Sequence, residues 1–285
     1  MADYCLKIVS NMGNWLRKRT LELISKYNVR LKKKLSQSFL VNDFIVNSLI
    51  NFLELSPTDT VIDVGAGLGL ITKLIAEKVR KVIAIEIDPI LAKILRDVTS
   101  DLGNVEVIES DVMKLSLPKV DKIFSNVPYG ISSLLIIKLL KERCFKIAIL
   151  TLQKEFGLRM TAKPGTSNYG RLSVIVSLYG NVKKLMIINR RNFYPVPKVD
   201  SIAIRLEPLD GAPLELINKI EDITAKLFSQ RRRVVRKVIE KFYNKIPDKI
   251  PPSIINKRVY ELTPSEILKL ASSLSDNISP YIAAS

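Results

Sequence analysis

The sequence contains no histidine among its 285 residues, and this absence removes several kinds of chemistry. Histidine metal ligands, Ser-His pairs and imidazole acid-base catalysis are excluded. Only Cys5 and Cys144 are present, without a Cys-x-x-Cys spacing, so we expect neither a disulfide framework nor a metal site. No uncharged apolar run of eighteen residues occurs, so no membrane partner is expected. The cysteine usage favours a reducing, cytoplasmic location.

Acidic residues are scarce in two segments, and the formal net charge of +17 is concentrated there. Residues 1–40 contain nine Lys/Arg and two acidic residues, and residues 226–258 contain eleven and two. The remaining residues are nearly neutral, so the positive segments indicate a polyanionic partner such as RNA. A solvated helix face is the alternative for the second segment. The predicted RNA contacts are Lys32, Lys33, Lys34, Arg231, Arg232, Arg233, Arg236 and Lys237.

Glycine is also sparse, yet three glycines alternate directly after the apolar run at residues 61–64. The pattern predicts a buried strand that turns into a helix over residues 70–79. Gly65 and Gly67 permit positive φ and close approach of a ligand, and Gly69 permits close helix packing. A purely structural turn is the alternative. A dinucleotide cradle is the weaker interpretation, because its G-x-G-x-x-G pattern requires a glycine where Leu70 stands.

Strands and helices alternate after this loop, which predicts an α/β fold with a parallel, doubly wound sheet. Two further strand-like runs, residues 182–189 and 201–206, are too close together for a crossover helix and predict an antiparallel edge pair. The other strands are predicted at residues 61–64, 82–87, 105–109, 122–125 and 146–152, with helices over 42–53 and from about residues 70, 89, 132 and 153.

Three segments are expected along the chain. Residues 1–30 form a basic N-terminal extension with an amphipathic helix, which we interpret as an RNA-contacting tail; an organellar transit peptide is the alternative. Residues 31–208 form the sheet domain. Residues 209–285 form a helical domain, with helices predicted at 214–229, 231–244 and 264–274, because the strand pattern stops after Pro208.

Polar residues close the predicted strands at the edge where open α/β sheets bind ligands. Asp63, Glu86 and Asp111 follow three of them, and Asn126-Val127-Pro128-Tyr129-Gly130 follows the fourth. Glu86 lies about twenty residues after the first glycine, the spacing of a carboxylate that accepts hydrogen bonds from ribose hydroxyls. The alternative interpretation of the three carboxylates is that they are solvated strand ends. The alternative for the Asn126 motif is that it forms only a tight turn.

Taken together, these motifs resemble, in order, those of the small-subunit ribosomal RNA adenine dimethyltransferases. The resemblance runs from about residue 30 to residue 240. That family is similar to the enzymes that dimethylate a large-subunit RNA adenine and give antibiotic resistance. The resemblance implies a Rossmann-like, S-adenosylmethionine-dependent methyltransferase sheet with a smaller C-terminal helical domain. The matching segments are residues 35–40, the glycine loop, Glu86, Asp111, and residues 126–129, 153–155, 171–173 and 193–201.

The resemblance also implies a cofactor site. Gln37 and the loop of Gly65, Gly67 and Gly69 would hold the methionine end of S-adenosylmethionine. Glu86 would take the ribose hydroxyls and Asp111 the adenine amine, and both carboxylates are suitable acceptors. Leu40, Asp63 and Asn126 complete the implied set. Two departures from the family pattern are Ala66, where a proline is usual, and the Ser36-Gln37-Ser38 triplet, which puts in doubt any contact assigned to its third residue.

Asn126-Val127-Pro128-Tyr129 resembles the Asn-x-Pro-Tyr signature of enzymes that methylate exocyclic amines. An adenine amine is a poor nucleophile, so the Asn126 oxygen and the Val127 carbonyl would hold its hydrogens and favour a pyramidal nitrogen. Pro128 stiffens the turn and Tyr129 offers a stacking face for a flipped base. By resemblance, Phe193 covers the other face.

We therefore expect a monomeric rRNA adenine dimethyltransferase. It would move methyl groups from S-adenosylmethionine to two neighbouring adenines near the 3′ end of small-subunit rRNA in a pre-formed ribosomal subunit. The rival hypothesis is a non-catalytic nucleic-acid-binding protein, either an assembly factor or a transcription factor. A DNA adenine methyltransferase is a third possibility. The intact Asn126 motif and glycine loop favour an enzyme, since a binding protein has no need of them.

Overall fold

The structure of the chain is a computed structural model. It describes residues 14–32, 35, 37–210, 212–243 and 250–274. The described residues divide into two compact units, one within Met1–Gly157 and Val182–Pro208 and the other within Leu158–Asn181 and Leu209–Ser285. The sequence predicted one boundary, at residue 208, whereas residues 158–181 also pack with the second unit.

Nine strands occur in the described part of the chain. They are β1 (Phe39–Leu40), β2 (Thr60–Val64), β3 (Lys81–Glu86), β4 (Val105–Glu109), β5 (Lys122–Asn126), β6 (Ile147–Gln153), β7 (Gly180–Ile188), β8 (Phe193–Tyr194) and β9 (Ser201–Pro208). Seven of them form a sheet in the order β4-β3-β2-β5-β6-β9-β7, and β1 pairs with β8 in a separate antiparallel ribbon.

The strands β2 to β6 are all parallel, and β9 runs antiparallel to β6 next to the edge strand β7. This confirms the predicted parallel sheet with an antiparallel edge. The central strand β2 is buried along its whole length, which explains its continuous apolar sequence. Parallel pairing brings the carboxyl ends of β2, β3, β4 and β5 to one edge, so the polar residues that follow these strands gather there.

Eleven α-helices occur in the same described ranges. They are α1 (Trp15–Lys26), α2 (Asp43–Phe52), α3 (Leu70–Ala76), α4 (Pro89–Val98), α5 (Ser132–Glu142), α6 (Lys154–Met160), α7 (Arg171–Tyr179), α8 (Ile217–Ser229), α9 (Val235–Tyr243), α10 (Pro252–Ile255) and α11 (Pro264–Ser273). None of them is long and apolar enough to cross a membrane. The sequence did not predict α7 as a helix, because its run of β-branched and aromatic residues is equally typical of a strand.

The N-terminal helix α1 packs on the sheet unit and is not a free tail. Leu16, Thr20 and Leu23 are buried, and both leucines belong to the main hydrophobic core. The Tyr27 hydroxyl donates to the Asp97 carboxylate at 2.8 Å, which fixes the end of α1 against α4. Removal of residues 14–30 as a transit peptide would uncover this core, so the packing argues against that alternative for these residues. Residues 1–13 lie outside the described part.

Candidate functional site

The three glycines after β2 adopt the left-handed conformations that their spacing predicts. Their φ angles are +72° at Gly65, +59° at Gly67 and +80° at Gly69. A Cβ atom at position 69 would lie 2.6 Å from Leu95 Cδ1 and 3.1 Å from Leu95 Cα. Gly69 therefore sets the close approach of the loop to α4, while Gly65 and Gly67 line the neighbouring cleft.

We predict that Gly69→Ala lowers the free energy of unfolding by about 1–3 kcal/mol, through the left-handed backbone and the overlap with Leu95. Gly103→Ala is the matched control, because its backbone φ is not in the left-handed range and no heavy atom lies within 4 Å of its new Cβ. Urea unfolding of both variants measures the difference. Equal midpoints for the two variants would show that position 69 tolerates a side chain.

Glu86, the last residue of β3, connects the strand to the glycine loop. One carboxylate oxygen accepts from the Gly67 amide at 2.8 Å, and the other accepts from the Asp88 amide at 2.9 Å. The side chain is buried, and burial raises the pKa of this carboxyl although the two amides oppose the shift. Glu86 is therefore held rigidly in the cleft wall as a hydrogen-bond acceptor.

Lys32 and Gln37 meet at Asp88, a residue that the sequence interpretation overlooked. The Lys32 ammonium pairs with Asp88 at 2.9 Å, and Gln37 Nε2 donates to the same carboxylate oxygen at 2.8 Å. Burial alone would raise the Asp88 pKa, but these two partners and the Ile90 amide hold it below the usual value. Lys32 therefore pairs with a buried carboxylate within the fold, and an RNA contact for its half-exposed side chain stays a prediction. Lys33 and Lys34 lie outside the described residues.

Asp88 had a recognisable signal in the sequence. It precedes Pro89, and Asp followed by Pro at a helix start is typical of an N-cap. The structure shows that its carboxylate accepts from the Ile90 amide at 3.1 Å and caps α4. Its connection to Lys32 and Gln37 spans more than fifty residues of chain, so the sequence does not reveal it.

Asp63 lies beneath the glycine loop and does not line the cleft that contains Glu86. It is 2% exposed, and it accepts a hydrogen bond from the Thr72 hydroxyl of α3 at 2.7 Å. Burial raises the pKa of Asp63 from 3.8 to about 7, against the Thr72 hydrogen bond and with a contribution from nearby Glu86. These contacts connect β2 to α3, and a direct cofactor contact for Asp63 stays a prediction.

A raised folded pKa makes the Asp63 contribution to stability dependent on pH. It is fully present below the unfolded-state pKa of about 3.9 and is lost as pH rises towards the folded value of about 7. Relative to Asp63→Asn, the wild-type free energy of unfolding should therefore fall between pH 4 and pH 8, by on the order of 4 kcal/mol. Chemical unfolding at several pH values measures this. If the free energies of unfolding of the wild type and Asp63→Asn change in parallel with pH, Asp63 ionises in the folded protein without loss of stability.

Asn126 lies at the carboxyl end of β5, and its amide group is oriented by the segment that precedes β1. Its Nδ2 donates to the Ser38 carbonyl at 2.8 Å, and the Val127 amide donates to the Thr151 carbonyl at 3.0 Å. The Tyr129 hydroxyl shares a 2.9 Å hydrogen bond with the Ser201 hydroxyl, and burial raises the Tyr129 pKa. The motif is thus fixed from both sides, with the Asn126 oxygen turned away from Ser38.

Two residues of the implied site are covered by protein. Leu40 and Phe193 face each other across the β1–β8 ribbon and are 3% and 1% exposed. Both belong to the hydrophobic core, and neither lines the cleft that contains Glu86. Base stacking on Phe193 therefore stays a prediction, and it requires the buried ring to become accessible.

Most of the remaining predicted residues meet in one open cleft, whereas Gly69, Val127 and Tyr129 do not line it. Asp111 lines it and caps a short helical turn, since its carboxylate accepts from the Met113 amide at 2.9 Å. Phe39, Ser110 and Ile131 also line it, although the sequence did not single them out. The predicted residues that line the cleft are Gln37, Gly65, Gly67, Glu86, Asp111, Asn126 and Pro128. Within the described ranges, no group of acidic residues or cysteine could hold a metal ion.

In the second unit, the basic residues before α9 differ in their surroundings. The predicted helix from residue 231 begins at Val235, because residues 231–234 form a turn. Arg231 is used internally: its guanidinium donates to the Thr166 and Tyr169 carbonyls at 2.6 and 3.3 Å and lies over the Tyr260 ring. The side chains that remain exposed are those of Arg232, Arg233, Arg236 and Lys237.

Comparison with known proteins agrees with this geometry. The family model described as Ribosomal RNA adenine dimethylase matches residues 28–276. Proteins named "Probable ribosomal RNA small subunit methyltransferase A" are similar over most of their length. The one from Thermococcus onnurineus is 39% identical over 273 residues, covering 92% of this chain and 99% of the relative. The one from Pyrococcus abyssi is 37% identical over 271 residues, covering 92% and 98%.

Two solved structures are similar to this chain. A dimethyladenosine transferase from Plasmodium falciparum has a TM-score of 0.72 at 30% identity and covers 84% of this chain and 98% of its own. The 23S rRNA methyltransferase ErmE has a TM-score of 0.62 at 27% identity and covers 83% and 99%.

Proposed function

The chain belongs to the ribosomal RNA adenine dimethylase family, and we propose that its cleft binds S-adenosylmethionine beside an adenine presented by the Asn126 motif. The protein is an enzyme, an RNA methyltransferase that dimethylates rRNA adenines. One observation of the structure supports the assignment of the cleft most strongly: Glu86 and Asn126, from different strands, line the same cleft as Gly65 and Gly67.

The residues of the cleft fit this cofactor. The fixed Glu86 carboxylate is an acceptor for ribose hydroxyls, and Asp111 is an acceptor for an adenine amine. The left-handed glycines leave room for a ligand against the main chain. When bound, S-adenosylmethionine supplies an electrophilic methyl group on a positively charged sulfur.

The Asn126 motif would prepare the adenine. The Asn126 oxygen and the Val127 carbonyl accept the two hydrogens of the amine, which favours a pyramidal nitrogen with its lone pair directed into the cleft. The bond from Asn126 Nδ2 to the Ser38 carbonyl fixes which end of the amide faces the substrate. Positioning of this kind supplies most of the acceleration, so neither a metal nor histidine is needed.

We further propose that two adjacent adenines near the 3′ end of small-subunit rRNA are the targets, in a pre-formed subunit. The names of the relatives support the small subunit. We also propose that the enzyme acts in the cytoplasm as a monomer. The exposed basic side chains of the second unit, Arg232, Arg233, Arg236 and Lys237, would contact RNA phosphates. A non-catalytic nucleic-acid-binding role finds no support in the comparisons.

The two kinds of arginine should respond differently to substitution. Replacing Arg232 and Arg233 together with alanine should reduce the slope of log affinity against log salt for rRNA by about 0.7–0.9 for each lost phosphate contact. Arg231→Ala should instead lower the free energy of unfolding by about 1–3 kcal/mol, because two carbonyls lose a charged donor. Binding at several salt concentrations and urea unfolding separate these effects. If the double variant has the parental slope, Arg232 and Arg233 do not contact RNA phosphates.

Transfer of labelled methyl groups to three substrates tests the proposal. We expect incorporation into small subunits that lack the modification, less into naked rRNA and none into DNA. Equal transfer to DNA would identify a DNA adenine methyltransferase, and binding without transfer to any substrate would identify a binding protein.

A further inference from the structure

The start of α1 lies directly beside the start of α2. The Leu16 amide donates to the Asp43 carboxylate at 3.2 Å, across 27 residues of chain. The N-cap residue of α1, Asn14, makes no side-chain capping bond of its own, so Asp43 performs that role from α2. Each of the two bonded residues has an aromatic neighbour at the surface, Trp15 and Phe44. Trp15 and Phe44 therefore lie at two helix starts that are joined to each other on the sheet unit.

Both aromatic side chains are unusually accessible. Phe44 is 76% exposed, more than any other large hydrophobic side chain in the described part, and Trp15 is 44% exposed. The residues that pack each helix on the core are others, Leu16 and Leu23 in α1 and Ile45 and Val46 in α2. One exposed aromatic residue needs no explanation, but two at helix starts that a hydrogen bond joins are typical of an interaction surface.

The surroundings of the two aromatic residues are cationic. Arg17 and Lys18 are exposed in the first turn of α1, and Arg190 and Arg191 are exposed in a turn that reaches the start of α2. In that turn the Asn192 carbonyl accepts from the Val41 amide, and its side-chain oxygen accepts from Asn42, both at 2.9 Å. Among the described residues, no salt bridge neutralises these four basic side chains. The Arg190 guanidinium donates to the Lys198 carbonyl at 2.9 Å, and the Arg190 main-chain amide donates to the Asp200 carboxylate at 3.0 Å.

The segment of chain that precedes α2 also contacts Asn126. The Ser38 carbonyl holds the Asn126 amide, and the Ser38 hydroxyl donates to the Pro195 carbonyl at 2.7 Å. From Ser38 the chain runs through β1 to Phe44, six residues later, so the two lie at most about 22 Å apart. The segment from Ser38 to Phe44, which the two Ser38 hydrogen bonds hold in place, therefore connects the cleft to the exposed Phe44 within one unit.

We propose that Trp15, Phe44, Arg17, Lys18, Arg190 and Arg191 form a platform for unpaired rRNA next to the target adenines. Aromatic faces stack on bases without regard to sequence, and the surrounding cations attract phosphates. The platform would hold the strand that leads to the cleft. This inference rests on the proposed function. All of α1 lies before residue 28, where the family match begins, whereas Phe44, Arg190 and Arg191 lie within the match.

Trp15 is the single tryptophan of the chain, so its fluorescence reports directly on the platform. The probes are a single-stranded RNA with the 3′-terminal small-subunit sequence and the intact small subunit. We expect both to quench Trp15 saturably. Phe44→Ala should weaken RNA binding roughly 5- to 150-fold, which corresponds to loss of one stacked base at ~1–3 kcal/mol. Circular dichroism verifies that the variant folds.

Leu21→Ala is the matched control, because Leu21 is also an exposed hydrophobic residue of α1 at 38%. It lies six residues after Trp15, about 9 Å along the axis and on a different face. Its RNA affinity should be parental. Trp15→Phe should retain more affinity than Trp15→Ala, since phenylalanine keeps a stacking face.

Three outcomes would overturn the inference or separate it from the proposed function. Unchanged Trp15 fluorescence with unchanged binding by Phe44→Ala overturns the platform, and methyl transfer by the same preparation would leave the proposed function standing. Quenching by subunits but not by RNA overturns it in favour of a ribosomal protein contact. Quenching by RNA without methyl transfer to any substrate supports the platform and removes the proposed function.

Discussion

Asn126→Ala should reduce the single-turnover rate of methyl transfer to small subunits by about 100- to 1,000-fold, while affinity for S-adenosylmethionine stays close to parental. The physical reason is that the variant loses the side-chain acceptor that holds the amine, and misplacement by ~1 Å can alone cost ~100-fold. The remaining Val127 carbonyl would hold one hydrogen of the amine but not fix the nitrogen. Rates at saturating cofactor, with cofactor binding measured separately by calorimetry, give both quantities.

Ser38→Ala is the informative comparison for Asn126. Ser38 holds Asn126 through its main-chain carbonyl, which the substitution retains, while the hydroxyl bond to Pro195 is lost. Its effect on the rate should therefore be far smaller. If Asn126→Ala reacts at the parental rate, amine activation by this residue is wrong.

Glu86→Ala should weaken binding of S-adenosylmethionine by about 3–6 kcal/mol. The substitution removes an acceptor for two ribose hydroxyls, and each hydrogen bond to a charged group contributes about 1.5–3 kcal/mol. It also releases the Gly67 and Asp88 amides, so the glycine loop loses its fixed position. Calorimetric titration measures the affinity, and circular dichroism verifies the fold.

Glu86→Gln tests the role of the charge. Glutamine keeps one oxygen for the Gly67 amide but no carboxylate, so its cofactor affinity should fall between those of the wild type and the alanine variant. Burial raises the Glu86 pKa, so Glu86 becomes protonated at a higher pH than an exposed carboxylate does. As the pH is lowered, the wild-type affinity for the cofactor should therefore begin to fall earlier than it would with an exposed carboxylate. Parental affinity in Glu86→Ala would remove Glu86 from the cofactor site.

The sequence was sufficient for the parallel sheet and for three polar residues of the cleft, because both follow from local patterns. A continuous apolar run predicts a buried strand such as β2, and residues that close parallel strands meet at one edge by geometry. Glu86, Asp111 and Asn126 line one cleft for this reason. The φ angles of the glycines follow from their spacing after the strand.

The sequence was not sufficient where a side chain finds its partner far along the chain. Lys32 is equally suited to RNA and to a buried carboxylate, and only the fold shows Asp88 beside it. Arg231 was predicted as an RNA contact with its neighbours, yet carbonyls more than sixty residues earlier take its guanidinium. The packing of α1 on the core is also a tertiary contact, since an amphipathic basic helix can bind either RNA or protein.

Mass spectrometry of nucleosides from the small subunit is the most direct test of the assigned activity. Subunits that lack the modification are incubated with the enzyme and S-adenosylmethionine, and the 3′-terminal rRNA fragment is then digested. We predict dimethyladenosine at two adjacent adenines with the wild type and almost none with Asn126→Ala. Unmodified adenines after wild-type treatment, or methyl groups only on other nucleosides, would contradict the assignment.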